Sequence, residues 1–352
     1  MIRVLVVDDS AVMRAFLGRV IGSQPDMELL GASPDPLLAI ERIRRNPPDV
    51  ITLDVEMPRM NGLDFLRNLM TVRPLPVIMI SSLTRQGAET TMRALELGAV
   101  DFFPKPDSFD GLEGSAQEIA EKIRAAAGAR ITRRRPPISP PATPIQKSNF
   151  APLTPSAPAA GGAWSRVIGI GASTGGVEAL RDVLTLLPSH MPPILIAQHM
   201  PPGFTETFAR RLDTLCRIHV KQAEDNESVR GGVAYIAPGG LHLMLARRGA
   251  GYCLRVTDDP PVNRHRPSVD TLFRSIARAA GSQAIGVMLT GMGADGAEAM
   301  LEMNQGGAYT LAQDEASCVV FGMPRQAIAA GGVREVISLA DIPARLEALA
   351  VA

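Results

Sequence analysis

The chain has 352 residues, room for two or three domains that each bury a core, so a single small module is excluded. Its 36 basic and 36 acidic residues cancel, which removes the broad positive field that non-specific nucleic-acid binding needs and argues against nucleic acid as a partner. Cys216, Cys253 and Cys318 are few and far apart, so neither a disulfide framework nor a CxxC metal site is suggested, and a reducing compartment fits.

The first ten residues, MIRVLVVDDS, hold a short apolar run ended by two aspartates, far short of a signal peptide or a membrane span. No later stretch reaches about 18 uninterrupted apolar residues, so the expected location is the cytoplasm, without membrane insertion. Apolar runs then alternate with helical patterns: IRVLVV, a helix over about 11–21, VITL at 50–53, a helix near 63–70, VIMI at 77–80, a helix near 88–97 and a strand near 100–103. Short unalternated strands separated by helices predict a parallel sheet covered on both faces.

In such sheets the loops at the carboxyl ends of the strands carry the ligand. Asp8 and Asp9 end the first strand, Asp54 ends VITL, Ser81 follows VIMI, and Lys105 follows the strand near 100–103. Singly, the aspartates read as helix caps or loop starts. Together, three crowded carboxylates suit a hard divalent cation and an approaching phosphoryl group, with lysine and serine to receive that group.

VVDDS, LDVEMPRMNG, MISS and KP, in this order and spacing, resemble the response-regulator receiver domain, over about residues 1–125. The resemblance implies a flavodoxin-like fold with Asp54 as phospho-acceptor, fed by a histidine kinase. It further implies Mg²⁺ held by Asp8, Asp9, Asp54 and the Glu56 carbonyl, and a switch of Ser81, Phe102 and Lys105. Phe102 stands where that family often has tyrosine, so an outward hydroxyl is missing.

A linker is expected over 126–163, where Arg133, Arg134 and Arg135 are followed by eight prolines between Pro136 and Pro158. Beyond it the α/β pattern returns in RVIGIG, PPILIAQ, AIGVMLT and AYTLA. Between them lies a β-rich insert, VAYIAP, LHLMLA and YCLRV, with a hairpin turn at Arg248-Gly249-Ala250-Gly251. The fold class read from this is α/β, with two doubly wound parallel-sheet domains, the second Rossmann-like, spanning 164–352 and carrying a β-hairpin insert.

RVIGIG runs into Gly171-Ala172-Ser173-Thr174-Gly175 and an apolar-periodic helix. The glycines space as GxGxxxG and no acid closes PPILIAQ, which argues against a dinucleotide site. The same residues fit GxSxG, a serine exposed on a strand-to-helix turn. His199 follows PPILIAQ directly and reaches the same sheet edge, with His265 in the loop 263–266 as the second candidate base. His190 precedes its strand; His219 and His242 lie within strand-like runs. Asp295, in Gly291-Met292-Gly293-Ala294-Asp295-Gly296 after AIGVMLT, can orient an imidazole, with Asp314 as the alternative. The Met292 amide, flanked by glycines, and Thr174 are candidate oxyanion donors.

The order Ser173, His199, Asp295 differs from the Ser…Asp…His order of ordinary α/β-hydrolases. GASTGG, AQHMPPGF, YIAPGGLH, NRHRPSVD and LTGMGADG resemble the catalytic domain of the chemotaxis protein-glutamate methylesterase and glutaminase family, over about 165–350. The resemblance implies hydrolysis of glutamate γ-methyl esters on the cytoplasmic helices of methyl-accepting chemoreceptors, deamidation of glutamines there, and no cofactor in the catalytic domain. It also implies that the unphosphorylated receiver restrains the esterase.

Overall fold

Aliphatic runs without alternation pair side by side in parallel when both of their faces are covered. In the first unit five of them, β1 (Ile2–Val7), β2 (Met27–Ser33), β3 (Val50–Asp54), β4 (Val77–Ser81) and β5 (Asp101–Pro104), form a parallel sheet in the order β2-β1-β3-β4-β5. The computed structural model describes residues 1–57, 61–82, 84–105, 114–131 and 164–351, and the chain divides into two units, Met1–Arg134 and Arg135–Ala352. Most of the expected linker, from 132 onward, and residues 58–60 of the LDVEMPRMNG segment lie outside the described residues.

Helices α1 (Ala11–Gly22), α2 (Pro36–Arg45), α3 (Gly62–Val72), α4 (Arg85–Glu96) and α5 (Ala116–Ala127) cover this doubly wound, flavodoxin-like sheet. Side-chain caps start several of them: Ser10 accepts from the Met13 amide, Asp35 from those of Leu37 and Leu38, and Asn61 from that of Leu63. The sequence reading passes over β2 and α2. β2 lies at the sheet edge with Glu28 and Leu29 exposed, and α2 buries only Pro36, Ala39 and Ile43 beneath a basic surface, so neither shows a plain apolar signal.

The second unit contains β6 (Val167–Ala172), β7 (Ile194–Gln198), β8 (His219–Gln222), β9 (Val233–Ile236), β10 (His242–Arg248), β11 (Gly251–Thr257), β12 (Ala284–Met288), β13 (Tyr309–Gln313) and β14 (Glu335–Ile337). Seven make one wholly parallel sheet, β14-β13-β12-β6-β7-β9-β8, and β10 and β11 form the separate antiparallel hairpin. The two-residue turn Gly249-Ala250 closes that hairpin, as the sequence indicates. VAYIAP corrects the reading, because its VAYI segment is β9, a strand of the main sheet between β7 and β8 and not part of the insert. With only four residues and a fully buried Tyr235, β9 lacks the length that would mark it as a main-sheet strand.

Helices α6 (Gly176–Leu184), α7 (Phe204–Leu215), α8 (Val269–Ala280), α9 (Ala297–Gln305), α10 (Met323–Ala329) and α11 (Ile342–Val351) complete the unit. Val269, Leu272, Phe273 and Ile276 form the fully buried face of α8. A Cβ on Gly169 would fall 2.6 Å from Ile276 Cδ1, and one on Gly171 would collide with Val269 Cγ1. The glycines of RVIGIG thus let a helix lie close on its strand. They do not make a phosphate cradle.

The chain leaves β6 for β7 on one side and returns with β12 on the other. Loops after β7 and β12 therefore diverge around the end of β6, the switch point at which open α/β sheets form their crevice.

Candidate active site

Ser173 stands one residue past β6 at that switch point. Its amide donates to the Thr290 carbonyl at 3.1 Å, its carbonyl accepts from the Gly176 amide at 2.7 Å, and Gly175, at φ 78°, turns the chain into α6. A side chain at Gly175 would meet Val319 and Thr290, and one at Gly176 would meet Gln198, so this turn closes only with glycines. Gln198 Nε2 also donates to the carbonyls of Ser173 (3.0 Å) and His199 (3.2 Å), tying the ends of β6 and β7 together.

His199 presents Nδ1 to Ser173 Oγ at 3.1 Å and Nε2 to Asp295 Oδ2 at 2.8 Å. The Asp295 side chain is 1% exposed and that of His199 9%, so little water competes for these contacts. Asp295 also accepts from Ser268 Oγ (2.8 Å), the Val269 amide (2.7 Å), Asn263 Nδ2 (2.9 Å) and the Asp270 amide (3.3 Å). It therefore caps the start of α8, where the helix dipole favours negative charge. Burial alone would raise the Asp295 carboxyl, but His199 and these donors outweigh it and hold it well below the usual carboxylate range. An ionised Asp295 requires Nε2 to carry the ring proton, which leaves the Nδ1 lone pair facing the Ser173 hydroxyl.

The three residues singled out in the sequence thus come together. Asp314 instead accepts from the amide and hydroxyl of Ser317, away from His199. His265 lies ring to ring on His199, with centroids 3.7 Å apart and planes 12° apart. His242, fully buried, accepts from the Ser268 amide through Nδ1 at 3.3 Å and reaches the Pro260 carbonyl through Nε2 at 3.1 Å, so it supports the cap that supports Asp295. The amide of Met292 meets no acceptor among the described residues, while Thr174 is buried and its carbonyl accepts from Thr290 Oγ1 at 3.0 Å. Thr290, Gln198, Asn263 and Ser268 were not anticipated individually. Asn263 and Ser268 lie in NRHRPSVD, whose polar density is the one signal the sequence offers.

In the first unit Asp8, Asp9 and Asp54 bring carboxylate oxygens within 4.8 Å of one another at the carboxyl ends of β1 and β3. Lys105 Nζ lies 2.7 Å from Asp54 Oδ2 and 3.4 Å from Asp8 Oδ2. Burial, reinforced by Asp8, pushes the Asp54 carboxyl up to about 6 against the pull of Lys105. Asp8 Oδ2 is buried with no hydrogen bond beyond its long ion pair to Lys105. A crowded, partly orphaned set of hard oxygen donors fits a divalent cation such as Mg²⁺. The Glu56 amide donates to Asp54 Oδ1 at 3.2 Å, which places that peptide beside the cluster. Ser81, fully buried, donates to the Gly87 carbonyl at 3.2 Å, and Phe102 is buried on β5.

The chain matches the family model for CheB methylesterase over residues 168–346 and that for the response regulator receiver domain over residues 4–117. The protein-glutamate methylesterase/protein-glutamine glutaminase 3 of Burkholderia lata is 57% identical, over 99% of this chain and 95% of its own. That of Pectobacterium atrosepticum, under the same name without the numeral, is 58% identical over 98% of this chain and 96% of its own. The crystal structure of the Thermotoga maritima CheB methylesterase catalytic domain aligns with a TM-score of 0.51 and 39% identity, covering 52% of this chain and 98% of that one.

Proposed function

The chain belongs to the CheB methylesterase family, with a response regulator receiver domain ahead of the esterase domain, and from that premise we propose that Ser173, His199 and Asp295 are its catalytic triad. It is a protein-glutamate methylesterase and protein-glutamine glutaminase. The observation that carries the triad is the continuous contact from Ser173 Oγ through His199 to the buried Asp295.

The chemistry follows from the tautomer. His199 Nδ1 takes the Ser173 proton as Oγ bonds to the γ-carbonyl carbon of a methylated glutamate. The carbonyl oxygen becomes an oxyanion, received by the Met292 amide and by Thr174, where one donor is worth about 10²- to 10³-fold in rate. As the tetrahedral centre collapses, the C–OCH₃ bond breaks and His199 returns the proton, releasing methanol. Water then repeats the sequence on the acyl-serine, freeing the carboxylate and restoring Ser173. Asp295 keeps Nε2 protonated and stabilises the imidazolium without taking its proton. An amide substrate loses ammonia by the same route.

In the first unit Asp54 takes a phosphoryl group from a histidine kinase. Asp8, Asp9, Asp54 and the Glu56 carbonyl would hold Mg²⁺, which when bound neutralises charge on the phosphoryl oxygens. Lys105 and Ser81 then leave their present partners for the phosphoryl group, and Phe102 follows within β5 and its surroundings. This rearrangement releases the esterase. Moving an inhibited population from 99:1 to 1:99 takes about 5.5 kcal/mol of differential stabilisation. The substrate is a chemoreceptor cytoplasmic helix, and no described helix is long and apolar enough to cross a membrane.

The test is methanol release from a γ-methylated receptor cytoplasmic fragment by wild type and Ser173→Ala, each with and without Mg²⁺ and acetyl phosphate. Release that needs Ser173 and rises with the phosphodonor is expected. Release indifferent to the phosphodonor keeps the esterase and removes the switch.

A further inference from the structure

Asn263 and Arg264 are the middle residues of a tight turn closed by two reciprocal bonds, Val262 N–H to the His265 carbonyl (3.1 Å) and His265 N–H to the Val262 carbonyl (2.9 Å). Both stand in the left-handed region, at φ 52° and 66°, and neither is glycine. Asparagine visits that region readily and arginine does not, so the surrounding structure must hold the turn.

What it holds is the far side of the triad. Asn263 Nδ2 donates to Asp295 Oδ1 at 2.9 Å and to Asp270 Oδ2 at 2.6 Å. Asp270 in turn accepts from the Ala299 amide in the first turn of α9 at 2.9 Å, which anchors the assembly to two helices. Two residues on, the His265 ring lies 3.7 Å from that of His199 and nearly parallel to it. One four-residue turn therefore touches the base by its face and the carboxylate by its edge.

We infer that His265 and Asn263 are positioning residues of the hydrolysis, a reading that rests on the triad proposed above. Both ring nitrogens of His199 are engaged, and those two contacts define an axis in the ring plane about which the imidazole can roll. A flat ring at van der Waals separation stops that roll and keeps Nδ1 aimed at Ser173 Oγ. Asn263 fixes the carboxylate at the other end of the axis.

The experiment uses the full chain and two readouts. One is methanol release from the γ-methylated receptor fragment; the other is the rate at which a fluorophosphonate labels Ser173, which needs no receptor. His265→Ala is expected to lower kcat by about 10²-fold with KM little changed, and to slow labelling in parallel. His265→Phe, which keeps a flat ring, restores most of both. Asn263→Ala lowers kcat as well, and the two changes combined cost less than the product of their separate effects. If His265→Ala does not fold, His265→Leu, which fills the space without a flat face, takes its place against His265→Phe. Wild-type kcat in His265→Ala, or a phenylalanine variant no better than alanine, overturns the positioning role and leaves the triad standing. A wild-type chain that neither releases methanol nor is labelled at Ser173 overturns the triad and the positioning role with it.

Discussion

Gly291 lies so close to Ser173 that a methyl group on its Cα would come within 2.8 Å of the Ser173 Cβ. It cannot retreat, because its amide donates to the Val320 carbonyl and its own carbonyl accepts from Gly322 and Met323. Gly291→Ala therefore presses on the buried Met323 sulfur as well as on Ser173, and moves the serine off its line to Nδ1. Ester hydrolysis falls by about 10²-fold, measured as methanol release, and the folded fraction stays high.

Asp295→Asn sets an amide NH₂ among groups that are nearly all donors. The tautomer of His199 is lost with the carboxylate, so kcat drops by about 10⁴-fold, the scale found for this change in the Ser-His-Asp template. At least one buried donor loses its acceptor, lowering stability by about 1–3 kcal/mol in urea denaturation. Retained activity in a folded Asp295→Asn protein would remove Asp295 from the triad.

Radiolabelled acetyl phosphate is expected to modify wild type in the presence of Mg²⁺. Labelling disappears in Asp54→Asn and falls sharply on chelation, because the crowded carboxylates then repel the incoming phosphoryl group. Label that survives Asp54→Asn at full level places the acceptor elsewhere.

Burial, aided by Glu227, pushes the Tyr235 hydroxyl up to about 12 despite the Arg230 amide that donates to it. A raised folded value means that its contribution is fully present below the unfolded value near 10 and is lost as pH rises through about 12. Denaturant titrations should show the second unit losing about 2 kcal/mol across that window from this residue. Tyr235→Phe starts from lower stability, since the Arg230 amide loses its acceptor, and shows a shallower alkaline slope.

Phe273 is fully buried under Gly169 and Gly171. Phe273→Ala opens a cavity between α8 and β6 and costs about 3–5 kcal/mol, read from the denaturation midpoint. The same helix begins at the Asp295 cap, so esterase activity falls in the folded fraction as well.

The meeting of Ser173, His199 and Asp295, proposed above as the triad, was legible because each sits where a parallel sheet exposes its carboxyl edge, and edges can be read from runs such as RVIGIG and PPILIAQ. Asp295 over Asp314 could not be settled that way, since both follow strands; the choice depends on where α8 begins, a tertiary fact. Asn263 and Ser268 were hidden for the same reason. They act on Asp295 across 32 and 27 residues of chain, and no local period marks such pairs. β2 and α2 escaped because an edge strand and a half-exposed helix carry weak patterns, and β9 because four residues give no sign of which sheet they join.

The order of strands in the second sheet also bears on how the enzyme comes into being. Ser173 and His199 are 26 residues apart and can meet once β6 and β7 pair, but Asp295 lies a further 96 residues along and arrives only when β12 docks on the opposite flank of β6. During synthesis the serine and its base therefore exist for a time without the carboxylate that fixes the proton. A chain stalled or cleaved before β12 carries Ser173 and His199 but not Asp295, and so holds two of the three residues proposed for the hydrolysis.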